Sequence, residues 1–368
     1  MMLPSPRPNL AKVKPYKPGK PIEELIRELK LKGEVIKLAS NENPLGTSPK
    51  ALAVMRKFSS ESYLYPDDNC YYLRKALAKK FDIDIEWVMA AAGSVELIYL
   101  ACLAYLRPED ELMMSEHSFI IAKIGATVMD AKVKEVALKD DYSHDLARML
   151  TSITPATKII YLDNPINPLG TIVKKKELDD FMEKVPDNIL VVIDEAYKEY
   201  IISKDYPDSF KYLKQGKNVM ILRTFSKIYG LAGLRLGYGF SKPEIIANLQ
   251  KVRYPFNVNR LVQQVGIAAL NDTKHALRSR KINEMGKKYL YAELKKLKVF
   301  YLPTYANFIF VSFVEDSSVI YEKLLRQGII TRTVKEYGFP NALRITIGTP
   351  EQNKKLINGL IAVLSGQI

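Results

Sequence analysis

The sequence predicts an α/β protein: a large, doubly wound, mostly parallel sheet covered by helices, followed by a smaller α+β domain. Three observations carry that expectation. From about residue 87, six short apolar runs (WVMAAA, ELMMS, KIIYL, ILVVID, VMILRT and RLGYGF) recur with helical stretches such as VELIYLACLAYL and KKKELDDFMEKV between some of them. Such alternation is the pattern of parallel strands joined by helical crossovers. Near Tyr254 the texture changes to helices, a few strands and a closing helix, which places a domain boundary near residue 258. The length, 368 residues, leaves room for about two or three structural units.

Taken in order, the first twenty residues carry five prolines and read as an extended arm. Pro21 opens a short amphipathic helix with Ile22, Leu25, Ile26 and Leu29 at helical spacing. Residues 1–40 are therefore expected to form an arm and first helix that pack with the small domain, 41–258 the large domain and 259–368 the small C-terminal domain. The stretch from Trp87 to Leu106 is apolar enough to raise a membrane span. Its polar break at Gly93, Ser94 and Glu96, with no second span, favours a buried strand, a turn and a buried helix. After Tyr254, RLVQQVGIAALND is read as a helix. HALRSRKINEMGKKYLYAELKKL is read as a long basic helix with Leu277, Leu290, Leu294 and Leu297 as its inner stripe. FIFVSF and LRITIG are read as strands, and SVIYEKLLRQG and NKKLINGLIAVL as helices.

Composition excludes several classes. Apolar residues make up 47% and charged residues 26%, the balance of a soluble globular protein rather than a disordered or collagen-like chain. The formal net charge of +14 favours anionic partners: phosphorylated metabolites, nucleic acid or an acidic membrane surface. Cys70 and Cys102 stand far apart, and the three histidines are scattered, so neither a disulfide framework nor a metal site is expected. The basic N-terminus lacks an apolar targeting core, and the expected compartment is the reducing cytoplasm.

In open α/β sheets, functional groups collect at the carboxyl ends of strands. After WVMAAA comes Gly93-Ser94-Val95-Glu96, a turn leading into a helix, whose free backbone N–H groups suit a phosphate. After KIIYL the loop DNPINPLG can aim Asn167 at a ligand. Asp194 ends the apolar run ILVVI, where a poorly hydrated acid calls for a cationic partner. After VMILR come Thr224, Phe225, Ser226 and Lys227, then Arg235. A lysine desolvated at a strand end is the residue type that condenses with an aldehyde, and the hydroxyls with the guanidinium could grip a phosphate. Taken singly, each feature is more simply a turn, a structural ion pair or a surface lysine. Together they supply an amine, an acid, a hydrogen-bonding amide and a phosphate cradle, which are the needs of pyridoxal 5'-phosphate.

The ordered set NENPLG (41–46), Tyr65-Pro66, GSVE (93–96), NPINPLG (164–170), DEAY (194–197), RTFSKIYGLAGLRLGY (223–238) and LRITIG (343–348) resembles the fold-type-I pyridoxal-phosphate aminotransferases. Within them it is most similar to the histidinol-phosphate aminotransferase subgroup. The resemblance implies that Lys227 holds the cofactor and acts as acid–base, and that Asp194 pairs with the pyridinium nitrogen. Asn167 and Tyr197 would hydrogen-bond the 3'-oxygen. Ser94 and Val95 (through backbone N–H), Thr224, Ser226 and Arg235 would bind the phosphate, and Phe119 would stack on the ring. Tyr65 would reach the neighbouring subunit's cofactor phosphate, which implies a homodimer with shared active sites. Arg344 and Arg332 would bind the substrate's anion and Tyr16 would contact the substrate.

Two departures stand out: Val95 replaces an acid usual in the subgroup, and Leu169 a threonine. The reaction so implied converts histidinol phosphate and 2-oxoglutarate to imidazole acetol phosphate and L-glutamate. Aromatic or aspartate transamination and threonine-phosphate decarboxylation are the alternatives on the same fold. A nucleic-acid-binding role resting on the basic charge is disfavoured, because no recognition motif accompanies it.

Overall fold

All six apolar runs form strands, and their being apolar at successive positions, not alternate ones, fits a sheet covered by helices on both faces. The computed structural model describes residues 4–366. In chain order its strands are β1 (Ile36–Lys37), β2 (Val88–Ala91), β3 (Glu111–Ser115), β4 (Lys132–Val136), β5 (Thr157–Asp163), β6 (Leu190–Asp194), β7 (Val219–Thr224), β8 (Gly237–Phe240), β9 (Phe300–Tyr301), β10 (Phe308–Ser312), β11 (Ile329–Ile330), β12 (Arg332–Val334) and β13 (Phe339–Thr346). Seven of them form one sheet in the order β2-β8-β7-β6-β5-β3-β4. All neighbours are parallel except at β8, which runs antiparallel to both β2 and β7.

Along the central strands, Ile160, Leu162, Val191 and Ile193 enter one core, whereas Ile159, Tyr161, Leu190 and Val192 enter the other. Side chains on successive residues of a strand point to opposite faces, so two buried faces require apolar residues throughout. Trp87–Leu106 resolves into strand β2 and the buried helix Ser94–Tyr105. No helix among the described residues is long and apolar enough to cross a membrane.

A four-stranded antiparallel sheet, β12-β13-β10-β9, forms the second unit. It shares a core with the helices Thr273–Lys296, Ser317–Arg326 and Pro350–Leu364. The N-terminal segment is tied to this unit: β1 pairs with β11 in parallel, and Thr346 N donates to Leu38 O at 2.8 Å.

Three expectations need correction. The helix Arg260–Leu270, placed beyond a boundary at 258, buries Val262, Val265, Ala269 and Leu270 in the core of the large sheet. The chain passes to the second unit only through the long helix that follows. In that helix Leu290 and Leu294 are buried but Leu277 is exposed. The buried side around it is polar instead, with Ser279 and Asn283 bonded to Asn43 and to the Ala306 carbonyl. In the helix Ile22–Leu29 only Leu25 is fully buried; Ile26 and Leu29 face solvent.

Candidate active site

The carboxyl ends of β5, β6 and β7 lie side by side, so Asp163, Asp194 and Thr224 emerge along one edge. Because β8 runs the other way, its start lies at that same edge, which brings Arg235 there as well. The helix Ser94–Tyr105 adds its N-terminus from β2. From the other side, β12 and β13 present Arg332 and Arg344, which are direct cross-strand partners and therefore share a face. Between them is a cavity of about 270 Å³. It gathers Tyr16, Ser94, Val95, Phe119, Asn167, Asp194, Tyr197, Thr224, Ser226, Lys227, Arg235, Arg332 and Arg344. Of the cofactor- and substrate-binding residues expected from the sequence, only Tyr65 is outside it. That ring is 79% exposed and rests against Phe256 at 4.7 Å.

Lys227 is half-buried, and its Nζ donates to the Ser40 carbonyl at 3.0 Å. Burial, with Arg344 and Arg235 nearby and only partial compensation from Glu42 and Asp194, pushes its amine down to about 7. Its loop is bolted to the segment 41–47. Asn43 Nδ2 donates to Ile228 O at 2.7 Å and Thr47 Oγ1 to Gly230 O at 2.9 Å. Gly230 has φ +68, and a Cβ there would lie 2.0 Å from Gly46 O, so no other residue permits that approach.

Asp194 is 5% exposed, and no cationic side chain among the described residues pairs with it within 4 Å. Tyr161 Oη donates to its Oδ2 at 3.0 Å and the Ala196 N–H to its Oδ1 at 3.1 Å. Burial, then the neighbouring Asp163, raises its carboxyl to about 7. An acid so placed is short of a positive partner, and a protonated ring nitrogen would supply one.

The hydrogen bonds also leave donors free. Asn41 Nδ2 donates to Tyr197 Oη at 2.9 Å, so the phenol proton remains to be given to a ligand; burial raises that phenol to about 12. Asn167 Oδ1 accepts from Arg344 Nη1 at 2.6 Å, which leaves its amide N–H groups for an oxygen in the cavity. Arg344 Nη2 donates to Ala39 O at 2.6 Å, and its buried Nε has no partner. Arg332 pairs with Glu336 and lies over the Tyr16 ring at 5.7 Å.

At the helix N-terminus, Gly93 has φ +91, and a Cβ there would meet Arg235 Nη2 at 2.6 Å. This bare backbone, the first-turn N–H groups, Ser226 Oγ and the Arg235 guanidinium form an anion cradle. Thr224 Oγ1 lies beside it, accepting the Ser226 N–H at 3.0 Å. The residues thus fit a group with an aldehyde, a basic ring nitrogen, a phenolic oxygen and a phosphate.

Sequence reasoning missed Ser40, Asn41, Asp163 and Glu336. Asp163 carried a legible signal, since it ends an apolar strand as Asp194 does. Of the two departures, Val95 lines the cavity, whereas Leu169 is fully buried with Ile166, Leu302 and Phe310 and does not enter it.

The profile of the family aminotransferase class I and II matches residues 33–360. The histidinol-phosphate aminotransferase of Moorella thermoacetica is 46% identical over 99% of this chain and 94% of its own length. Histidinol-phosphate aminotransferase 2 of Pseudomonas fluorescens (strain Pf0-1) is 42% identical over 98% and 97%. A crystal structure of histidinol-phosphate aminotransferase from Sinorhizobium meliloti, in complex with pyridoxal-5'-phosphate, superposes with a TM-score of 0.88 over 98% of each chain. At 23% identity that last likeness is one of fold.

Proposed function

Because this chain belongs to the class I and II aminotransferase family, we propose that it interconverts histidinol phosphate and 2-oxoglutarate with imidazole acetol phosphate and L-glutamate, using pyridoxal 5'-phosphate. The observation that carries the substrate reading is the register pair Arg332 and Arg344. The two share one face of the sheet and both line the cavity; Glu336 pairs with Arg332 alone, and planar guanidinium forks accept phosphate and carboxylate alike. The same pair then serves histidinol phosphate in one half-reaction and glutamate in the other.

When bound, pyridoxal phosphate supplies an aldehyde that condenses with amines and a ring that takes up the electron pair left at the substrate's Cα. The protein's part is to hold and to move protons. Asp194 would keep a proton on the ring nitrogen, while Tyr197 Oη and Asn167 Nδ2 would donate to the ring oxygen. Ser94 and Val95 N–H, Thr224, Ser226 and Arg235 would hold the phosphate, and Phe119 would pack against the ring. Lys227 Nζ, with a depressed proton affinity, would be the group that accepts and gives back the substrate's Cα proton. Tyr16, with Pro18 and Gly19 of the arm, adds one wall of the cavity.

Two results are expected. Arg332→Ala raises KM for histidinol phosphate and for glutamate by roughly tenfold to a hundredfold, the worth of a charge-assisted hydrogen bond, with a smaller change in kcat. Steady-state kinetics decide it, and unchanged KM values for both substrates would exclude Arg332 from the anion site. Cofactor capture by the cofactor-free chain depends on neutral Lys227. Its rate therefore rises about tenfold per pH unit up to roughly 7 and then levels off. Stopped-flow absorbance measures this, and a rate that keeps climbing to pH 10 would mean an unperturbed amine.

We also propose a homodimer in which Tyr65 serves the neighbouring site. In support, the corner around the Arg253–Asp68 ion pair leaves Tyr65, Tyr254 and Phe256 exposed, an aromatic patch of the kind that self-association covers. Light scattering at micromolar concentration should return twice the chain mass. A monomeric holoenzyme with full activity would refute the shared site.

A further inference from the structure

We infer that Asp163 is a positioning residue, a second buried carboxylate that fixes the Phe119 segment and the Asn167 loop to one another beside Asp194. The inference rests on the reading of the cavity as a pyridoxal phosphate site. Asp163 lines the same cavity, and its oxygens are engaged by the two loops that it joins.

Asp163 ends β5 as Asp194 ends β6, and the two are register partners on adjacent parallel strands. Its side chain is buried, and its two oxygens bind three donors from two separate loops. Oδ2 accepts the Phe119 N–H at 3.2 Å and the Asn167 N–H at 2.8 Å, and Oδ1 accepts the Ser118 hydroxyl. Phe119 follows β3 and Asn167 follows β5, and both side chains line the cavity. One carboxylate therefore sets the spacing between the ring that covers the cofactor and the amide that bonds its oxygen. Without it, two inward-facing backbone N–H groups lose their acceptor, and no other side-chain hydrogen bond among the described residues links these two loops.

Its surroundings favour this role over ion pairing. His144 lies beneath, with Nε2 3.0 Å from the Asp163 carbonyl oxygen and 3.7 Å from its Oδ1. The other ring nitrogen is 2.6 Å from Ser115 Oγ. Complete burial pushes this imidazole down to about 4, so near neutral pH it carries no charge to offer the carboxylate. The donors alone hold Asp163 in place.

Isosteric replacement separates geometry from charge. In Asp163→Asn the amide oxygen can accept both backbone N–H groups, and the amide N–H can donate to Ser118 Oγ after the hydroxyl rotates. Asp163→Ala loses all three bonds. The test compares wild type, Asp163→Ala and Asp163→Asn, each loaded with pyridoxal phosphate. It reads the visible circular dichroism per bound cofactor and KM against kcat for histidinol phosphate. Asp163→Ala should lose at least about half the ellipticity and raise KM about tenfold, and Asp163→Asn should restore both to within about twofold.

Wild-type ellipticity and KM in Asp163→Ala would overturn the inference, as would an Asp163→Asn as impaired as the alanine variant. If the alanine variant does not fold, the asparagine variant decides alone: near-wild-type values support the inference and a tenfold loss overturns it. A wild-type chain that takes up no pyridoxal phosphate would overturn the reading of the cavity and this inference together. Normal uptake with an unaffected Asp163→Ala overturns the inference alone.

Discussion

Replacing Lys227 by alanine is expected to lower turnover by roughly 10⁴-fold, the upper range of what a positioned acid–base supplies. The size of the effect follows from the company Lys227 keeps. The other cationic side chains lining the cavity are Arg235, Arg332 and Arg344, whose guanidiniums stay protonated and can act neither as nucleophile nor as base. Lys227→Arg should therefore be as inactive as the alanine variant, although it keeps a long basic side chain. Rates of purified variants with bound cofactor, compared at equal folded fraction, measure this. Full turnover in Lys227→Ala would place the chemistry on another group.

Glu195→Ala is expected to destabilise the protein by about 3–5 kcal/mol, the cost of leaving a buried charge without its partner. Arg223 Nε and Nη2 donate to Glu195 Oε2 at 2.9 and 2.7 Å, and Ser209 Oγ donates to Oε1 at 2.8 Å. Both side chains of the ion pair are almost fully buried. Glu199, 3.5 Å from Arg223, replaces only part of the lost charge. Glu195 follows Asp194 and Arg223 precedes Thr224, so the pair ties together the two strand ends that carry the acid and the lysine loop. Denaturant unfolding of the cofactor-free chain should show the loss as a lowered midpoint. A change below about 1 kcal/mol, the ordinary cost of a surface substitution, would contradict the role given to this pair.

The strands that carry the site were legible because each is a short apolar run, too short for a buried helix, and the polar residues that follow it mark the strand end. Asp194, Thr224 and Lys227 were found that way. The edge strand β4, KVKEV, was not, because its alternation with lysine and glutamate reads as a solvated segment. The long helix misled for the opposite reason. Leucine spacing suggested Leu277 as core, whereas the chain is crossing between two units there and its buried side bonds to loops through polar groups.

The arm shows the same limit. Ile26 and Leu29 repeat at helical spacing, but the helix is only eight residues long and buries one of its faces at a single leucine. Ser40 and Asn41 reach the cavity because β1 and the Thr346–Leu38 bond lay that segment along the second sheet, a pairing between residues some three hundred apart. The Arg332–Arg344 partnership is likewise a matter of register, which local patterns do not encode.

The central claim is that the arginine pair reads a phosphorylated amine, and a single half-reaction tests it most directly. Histidinol phosphate, phenylalanine, aspartate and threonine phosphate would be added separately to the cofactor-loaded protein, and the cofactor's visible absorbance followed at each concentration. The account predicts that histidinol phosphate bleaches the absorbance at far lower concentration than the other three. Equal bleaching by phenylalanine or aspartate would contradict it and make Arg332 and Arg344 carboxylate readers first.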